Sequence, residues 1–278
     1  MKLARYVVLA VVVFGLLSRS GLEKERTTIL AQGQPGCTVT VQPSQSIQSA
    51  IDAAQEGAVI CLAAGTFLED FTIIVTKSLI LQGMGLDPQD VQIVAVGWGY
   101  PVIRIESWAN IEVTLKKLTI TKAKLWDASG IKVLGNVKLS LEELQILDNW
   151  MYGLEVRDSA WVNLKHSIIS NNSLSGLHVG NSAIVSLSNS NISSNGNGLF
   201  VSDSARVNLA ESIIFNNGQH GLKVTSATAQ IERSTIAMNG THAGCKEADW
   251  LCTGITIVGD THITIVESKI IANADWGM

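Results

Sequence analysis

The sequence predicts an all-β fold, a single-stranded right-handed parallel β-helix or solenoid, and three observations predict it. Glycines return at a nearly fixed interval through the second half, aliphatic residues keep fixed places within that interval, and serine and asparagine hold two further places. The glycines are Gly130, Gly153, Gly176, Gly198, Gly221, Gly254 and Gly277, spaced 23, 23, 22, 23, 33 and 23 residues apart. A period of this size marks a stacked repeat in which each unit buries its apolar face against the next. The single long interval predicts an insertion at about 240–252.

The aliphatic places justify the strands. One column reads Ile120, Ile146, Ile169, Ile192, Ile214, Ile236, Ile270, and another reads Leu115, Leu141, Leu164, Leu187, Leu209, Ile231, Ile265. Two residues before the second column stand Val113, Leu139, Val162, Val185, Val207, Ala229 and Ile263, with Thr114, Ser140, Asn163, Ser186, Asn208, Gln230 and Thr264 between. Apolar, polar, apolar is a strand with one face buried. After each glycine, pairs such as Leu154/Val156 and Leu177/Val179 make a further strand. Equivalent positions then stack about 4.8 Å apart.

The polar places justify the turns. Ser167, Ser190, Ser212, Ser234 and Ser268 form one column, and Asn149, Asn172, Asn195, Asn217, Asn239 and Asn273 the other. Stacked amides can hydrogen-bond from coil to coil. Asparagine also tolerates left-handed backbone, so the asparagines themselves are expected to take it at this corner. A propeller needs repeats near 40 residues, and a leucine-rich horseshoe needs its own consensus, so neither fits.

Composition agrees. Of 278 residues, 46% are apolar and 16% charged, enough for a large core. A net charge of −4 without a basic stripe argues against a nucleic-acid partner. Lys2 and Arg5 precede an apolar run from Tyr6 to Leu17, the length of a signal-peptide core and short for a membrane span. Residues 1–20 are therefore read as a signal peptide, 21–36 as a linker and 37–278 as the β-helix domain. The expected location is secreted, cell-surface or periplasmic, with membrane contact only through the N-terminal segment if it stays uncleaved. Four cysteines fit export and two disulfides, Cys37–Cys61 and Cys245–Cys252. The first would stabilise by about 3 kcal/mol in the chain-entropy model. No zinc site is read, because the cysteine spacings are not CxxC and no His pair accompanies them.

The two ends differ. Residues 37–60 are read as an N-terminal cap, with an amphipathic helix over 47–56 in which Ser46 caps, Ile47, Ala50, Ile51 and Ala54 face the core, and Gly57 stops the helix. It should cover the first coil, since a solenoid end is an unpaired strand edge. No such device is visible at "NADWGM", so the chain is expected to be truncated there or covered by another subunit.

With these features in view, the coils resemble the pectin-lyase-like superfamily, and "VQPSQSIQSAIDAAQEGAVICLAAGTFLEDFTIIVTKSLILQGMG" resembles its N-terminal cap. The resemblance spans roughly residues 37–278 and implies a fold shared by polysaccharide lyases, hydrolases, epimerases and proteins without known activity. Of the polygalacturonase-type motifs only Gln219-His220-Gly221 has a counterpart, and Gly221 already belongs to the repeat. For a lyase, the best acid-plus-arginine cluster is Glu211, Glu232 and Arg233. The column that holds Glu211 and Arg233, which includes Lys117, Glu143 and His166, mixes signs and reads more simply as a compensating solvated face. Catalysis is therefore assigned to no residue, with Glu211, Glu232, Arg233 and His220 as candidates. No metal or cofactor is expected, calcium entering only with a lyase activity.

Trp126, Trp150, Tyr152 and Trp276 fall just after the asparagine turn, where a core needs no large rings. Trp126, Tyr152, His220 and Trp276 count three residues beyond the asparagine position, with Trp250 in the nearby insertion. Exposed aromatics with polar tips serve recognition, and sugar rings lie on such faces. Trp108 and Trp161 occupy another edge and are expected to pack. The reading is an exported, non-catalytic β-helix that binds carbohydrate or serves as a surface scaffold. The alternative is a pectate-lyase- or polygalacturonase-like enzyme.

Overall fold

The computed structural model describes residues 36–240 and 252–274. The expected leader, nearly all of the linker, most of the insertion with Cys245 and Trp250, and Trp276 lie outside the described residues. Among the described residues no helix is long and apolar enough to cross a membrane.

Each regular coil contributes three strands. In one coil these are Tyr152–Val156, Trp161–Lys165 and Ile168–Ser170, here the glycine, middle and short strands. The short strands form a nine-stranded sheet running from Gly65–Glu69 to Lys269–Ile271. Glycine and middle strands belong to one sheet because Ile103–Lys116 and Ile131–Glu142 run unbroken from one face to the other. Pairing is parallel and in register at the expected places: Ile146, Ile169, Ile192 and Ile214 stand opposite one another, as do Leu141, Leu164, Leu187 and Leu209. These side chains fill the interior, and upstream the isoleucine column continues through Ile93 to Phe67.

Both polar columns are buried ladders. Asn172 Nδ2 donates to Asn195 Oδ1 at 2.9 Å, and Asn195 Nδ2 to Asn217 Oδ1 at 3.1 Å. Backbone N–H groups join them, Asn172 N donating to Asn195 Oδ1 at 3.0 Å. Each ladder serine accepts from the previous coil and donates to its own strand: Ser167 N donates to Ser190 Oγ at 3.2 Å, and Ser190 Oγ to Ser188 O at 2.9 Å. The turns thereby satisfy the backbone groups that a buried corner would orphan.

The left-handed residues are not the ladder asparagines, which corrects the expectation. They stand one place earlier, at Asp148, Asn171, Ser194, Asn216, Met238 and Ala272, all with positive φ. A ladder asparagine needs its side chain aimed along the stack, and the preceding residue absorbs the bend. A second left-handed column is the mixed-sign one, Lys117, Glu143, His166, Asn189, Glu211, Arg233 and Glu267. A third lies in the wide turn, where Asp158, Asn181, Asp203 and Ser226 recur. Backbone pairing persists through these bends, as where His166 N donates to Ser188 O at 3.2 Å.

The repeat glycines serve close approach. A Cβ on Gly176 would lie 2.6 Å from Ile192 Cγ2 and 2.7 Å from Asn195 Nδ2. Glycine therefore leaves the space in which isoleucine and asparagine columns meet.

The capping helix α1 spans Ile47–Ala53, three residues shorter than expected. Ser46 Oγ accepts from Ser49 N at 3.1 Å, and Ile47 and Ile51 are buried in the core. Ala54 is already extended, and Lys77 Nζ donates to its carbonyl at 2.6 Å, so the helix ends before Gly57. Gln48 covers a strand edge: its Oε1 accepts from Ile74 N at 2.6 Å and its Nε2 donates to Ile74 O at 3.2 Å. The Cys37–Cys61 disulfide is formed, with Cα atoms 5.8 Å apart. Cys252 is buried and disulfide-bonded; its expected partner Cys245 lies outside the described residues.

Candidate functional site

The asparagine turns and the glycine strands that follow them carry the aromatic side chains. Trp150 follows Asn149 directly, and its N–H donates to Ala123 O at 3.0 Å, while Gly130 N donates to Tyr152 O at 2.9 Å. Ala123 and Ser129 thus occupy the places that Asn149 and Tyr152 hold one coil later. Five residues stand where the next coil has two, and Trp126 projects from this longer loop. Tyr152 and His220 do share a column, through Ser175 and Asn197, but Trp126 stands outside it, which corrects the counted alignment. An insertion of three residues is invisible to counting from the asparagine position.

Trp126 is 83% exposed and Trp150 56%. Phe71, Trp98 and Tyr100, which the sequence reading passed over, are exposed as well. Gly99 N donates to Lys124 O at 2.7 Å, setting the Trp98–Tyr100 turn against the Trp126 loop. Gly97 lies so close to Asp70 that a Cβ there would overlap the Asp70 carbonyl, which brings Phe71 onto the same edge. These three rings belong to coils upstream of the regular glycines, so the repeat gave no register in which to find them.

Beside this edge, the outward positions of the glycine strands form the column Arg104, Lys132, Glu155, His178, Phe200, Lys223 and Thr256. Glu155 is only 3% exposed. Arg157 Nε donates to its Oε1 at 2.6 Å, and Lys132 Nζ stands 3.5 Å from its Oε2 and 2.5 Å from Asp127 Oδ1. Two cations offset the desolvation of one buried carboxylate. Burial is the largest single influence and works against the Arg157 charge, but the hydrogen bond to Glu155 and the charge of Glu155, with smaller contributions from Tyr152 and Asp203, together hold the guanidinium pKa above its usual range.

Aromatic rings continue the column. His178 lies 4.7 Å from Tyr152 and stacks on Phe200 at 4.9 Å with planes 5° apart, and Lys223 Nζ sits 5.4 Å from the Phe200 centroid. Burial, then the Arg157 charge, lowers the His178 pKa to about 4, so the ring is neutral at pH 7. Its Nδ1 is buried without a hydrogen-bond partner. Burial, then Glu155, raises the Tyr152 phenol. His220 is also neutral, its pKa lowered to about 4 by burial and then Lys223, with Nδ1 2.9 Å from Thr256 Oγ1. The signal for Glu155, His178, Phe200 and Lys223 was present in the sequence: they are the outward positions between the inward pairs Leu154/Val156 to Leu222/Val224.

The structure brings Glu211, Glu232 and Arg233 together at the turns that lead into the short strands. Arg233 Nε donates to Glu211 Oε1 at 3.3 Å, and Arg233 Nη1 bonds Glu232 Oε1. All three side chains are about half exposed, and the charge of Glu232 above all raises the Arg233 pKa. The arrangement is a solvated ion-pair network. Among the described residues no group of three or more His, Cys, Asp or Glu side chains is placed to hold a metal ion. Trp108 and Trp161, expected to pack, are instead exposed at 79% and 42%. Trp161 points outward because Val162 and Leu164 take the two inward places of its strand.

Against known proteins, a family model described as right handed beta helix region matches residues 104–278. No curated protein matches the chain in sequence. Among solved structures, pectate lyase Pel9A superposes with a TM-score of 0.61 at 14% identity, covering 86% of this chain and 79% of that one. The pectin methylesterase from Aspergillus niger gives 0.58 at 13% identity, covering 88% and 92%. ORF18 of Geobacillus virus E2 gives 0.55 at 13% identity, covering 72% and 52%. At such identities the likeness is one of fold.

Proposed function

The chain belongs to the right-handed β-helix family, and on that premise we propose that it is an exported, non-catalytic protein that binds polysaccharide outside the cytoplasm. The observation that carries this reading is the aromatic edge. Phe71, Trp98, Tyr100, Trp126 and Trp150 are exposed on turns of successive coils, beside the Tyr152–His178–Phe200 stack. A soluble surface seldom spends that many rings without a partner. Sugar rings present an apolar C–H face to an aromatic plane and hydroxyls to its polar rim. Two structural neighbours are named for acting on pectin-type polymers, which supports a polysaccharide as the ligand class. The disulfide supports export. The engagement of Glu155, Glu211 and Glu232 in ion pairs supports binding without turnover, since hydrolysis of glycosides needs two carboxylates free to differ in protonation.

Binding on a glycan array tests it. Joint replacement of Trp126 and Trp150 by alanine should abolish the signal and leave thermal melting unchanged. An intact protein that binds no glycan removes the reading.

A second reading, a polysaccharide lyase, is favoured by one observation: His178, neutral and with Nδ1 unpartnered, lies beside Tyr152 and the Glu155–Arg157 pair. A base that is neutral at pH 7 can take a proton. Release of unsaturated uronides from pectin, lost in His178→Gln and sensitive to calcium chelation, would establish this reading in place of the first.

A further inference from the structure

We propose that the middle-strand face carries a second saccharide site, centred on Trp161 and suited to a neutral pyranosyl chain. The wide turn separates this face from the aromatic edge and the glycine-strand column, so the inference stands apart from the function proposed above. A hollow of about 580 Å³ opens here, lined by Glu112, Thr114, Lys138, Ser140 and Trp161. Register explains its shape. Glu112, Lys138 and Trp161 stand opposite one another on three successive coils, and Thr114, Ser140 and Asn163 form the next outward row. Coils lie about 4.8 Å apart and the two rows about 6.7 Å apart, an area matching one or two sugar rings.

The chemistry of the lining is uncommitted. Among the described residues the side chains of Thr114, Ser140 and Asn163 make no hydrogen bond, whereas the buried ladders use every group they have. Each hydroxyl can donate and accept, as sugar hydroxyls do. Trp161 offers a partly exposed indole to the C–H face of a ring. Lys138 Nζ and Glu112 Oε1 pair at 3.1 Å on the exposed rim, so the site presents no net charge. That balance selects a neutral sugar over a uronate, and a charged partner could still strengthen hydrogen bonds to hydroxyls.

Saturation-transfer NMR on the whole chain tests this with three neutral probes: cellohexaose, xylohexaose and mannohexaose. At least one should bind the parent protein. Trp161→Ala should weaken that association about tenfold or more, the scale of one lost ring contact, and Trp161→Phe should restore most of it. Thr114→Val with Ser140→Ala should weaken it too. Replacing Trp126 and Trp150 by alanine should leave it unchanged, which separates this site from the aromatic edge. Failure of all three probes to bind the parent, or equal binding by parent and Trp161→Ala, overturns the proposal. Loss through Trp126 and Trp150 instead of Trp161 overturns it as well. Thermal melting of each variant confirms folding, and Trp161 is exposed enough for alanine to be tolerated.

Discussion

Two polar rows run the length of this solenoid, built from similar side chains at the same period, and they meet opposite fates. Asn172 and Asn163 are nine residues apart in sequence. Asn172 is 1% exposed, donates to Asn195 and to the Ile146 carbonyl, and accepts from Asn149. Asn163 lies on an open strand face, and its side-chain amide makes no hydrogen bond to the described residues. The difference shows where scaffold ends and surface begins. A buried amide must be fully satisfied or it costs stability, while an exposed one is satisfied by water and stays available to a ligand.

The sharpest way to break the comparison is Asn195→Ala. It leaves Asn172 N and the Ile169 carbonyl each short of a buried partner, while Asn172 Nδ2 keeps the Ile146 and Ser170 carbonyls. At about 1–3 kcal/mol for each of these two buried groups, the expected loss is roughly 2–6 kcal/mol in denaturant unfolding. Ile192→Ala, at a fully packed site, is expected to cost about 2–5 kcal/mol in the same assay. Should Asn195→Ala prove the milder of the two, the ladder is less important than its geometry implies.

A pH titration sharpens the comparison on the glycine-strand face. Folding lowers the His178 pKa from 6.5 to about 4, so between those values the unfolded chain holds more protons. The stability from keeping this ring neutral is complete above pH 6.5 and is lost as pH falls towards 4. Its size is on the order of 3 kcal/mol. His178→Phe keeps the stack and removes the proton site, so its stability between those limits should fall less steeply than the parent's. His220 continues to contribute in both proteins, since its pKa is lowered in the same direction. Superimposable curves would mean that His178 is not held neutral. The smallest expected effect is Asn163→Ala, within about 0.5 kcal/mol, as for a surface position away from special contacts.

The repeat made most of the fold legible. Inward columns and ladder residues could be read because each follows from a local rule repeated many times, and the first disulfide and the capping serine because cysteine pairing and helix starts have local signals of their own. The left-handed residues escaped, since Met238 and Ala272 carry no sign of a bent backbone that only their place before an asparagine imposes. The candidate site was half legible. Trp150 and Tyr152 follow from their position, but the Trp126 register fails at an insertion, and Trp98 and Tyr100 lie in coils without the glycine marker. Glu155 and His178 look like ordinary outward residues until burial and stacking are known.

What the sequence determined by itself is periodic: which side chains point inward, which columns hydrogen-bond along the stack, and where a turn must fall. A period specifies these because every coil repeats the same steric and hydrogen-bonding demand. Tertiary structure alone decided what happens between neighbours on the outer faces. It set whether two charges lie 2.6 Å apart, whether a ring is stacked or bare, and whether a hydroxyl row is used or open. Those outcomes depend on lateral distances between coils and on loop lengths at the turns, which no single strand encodes.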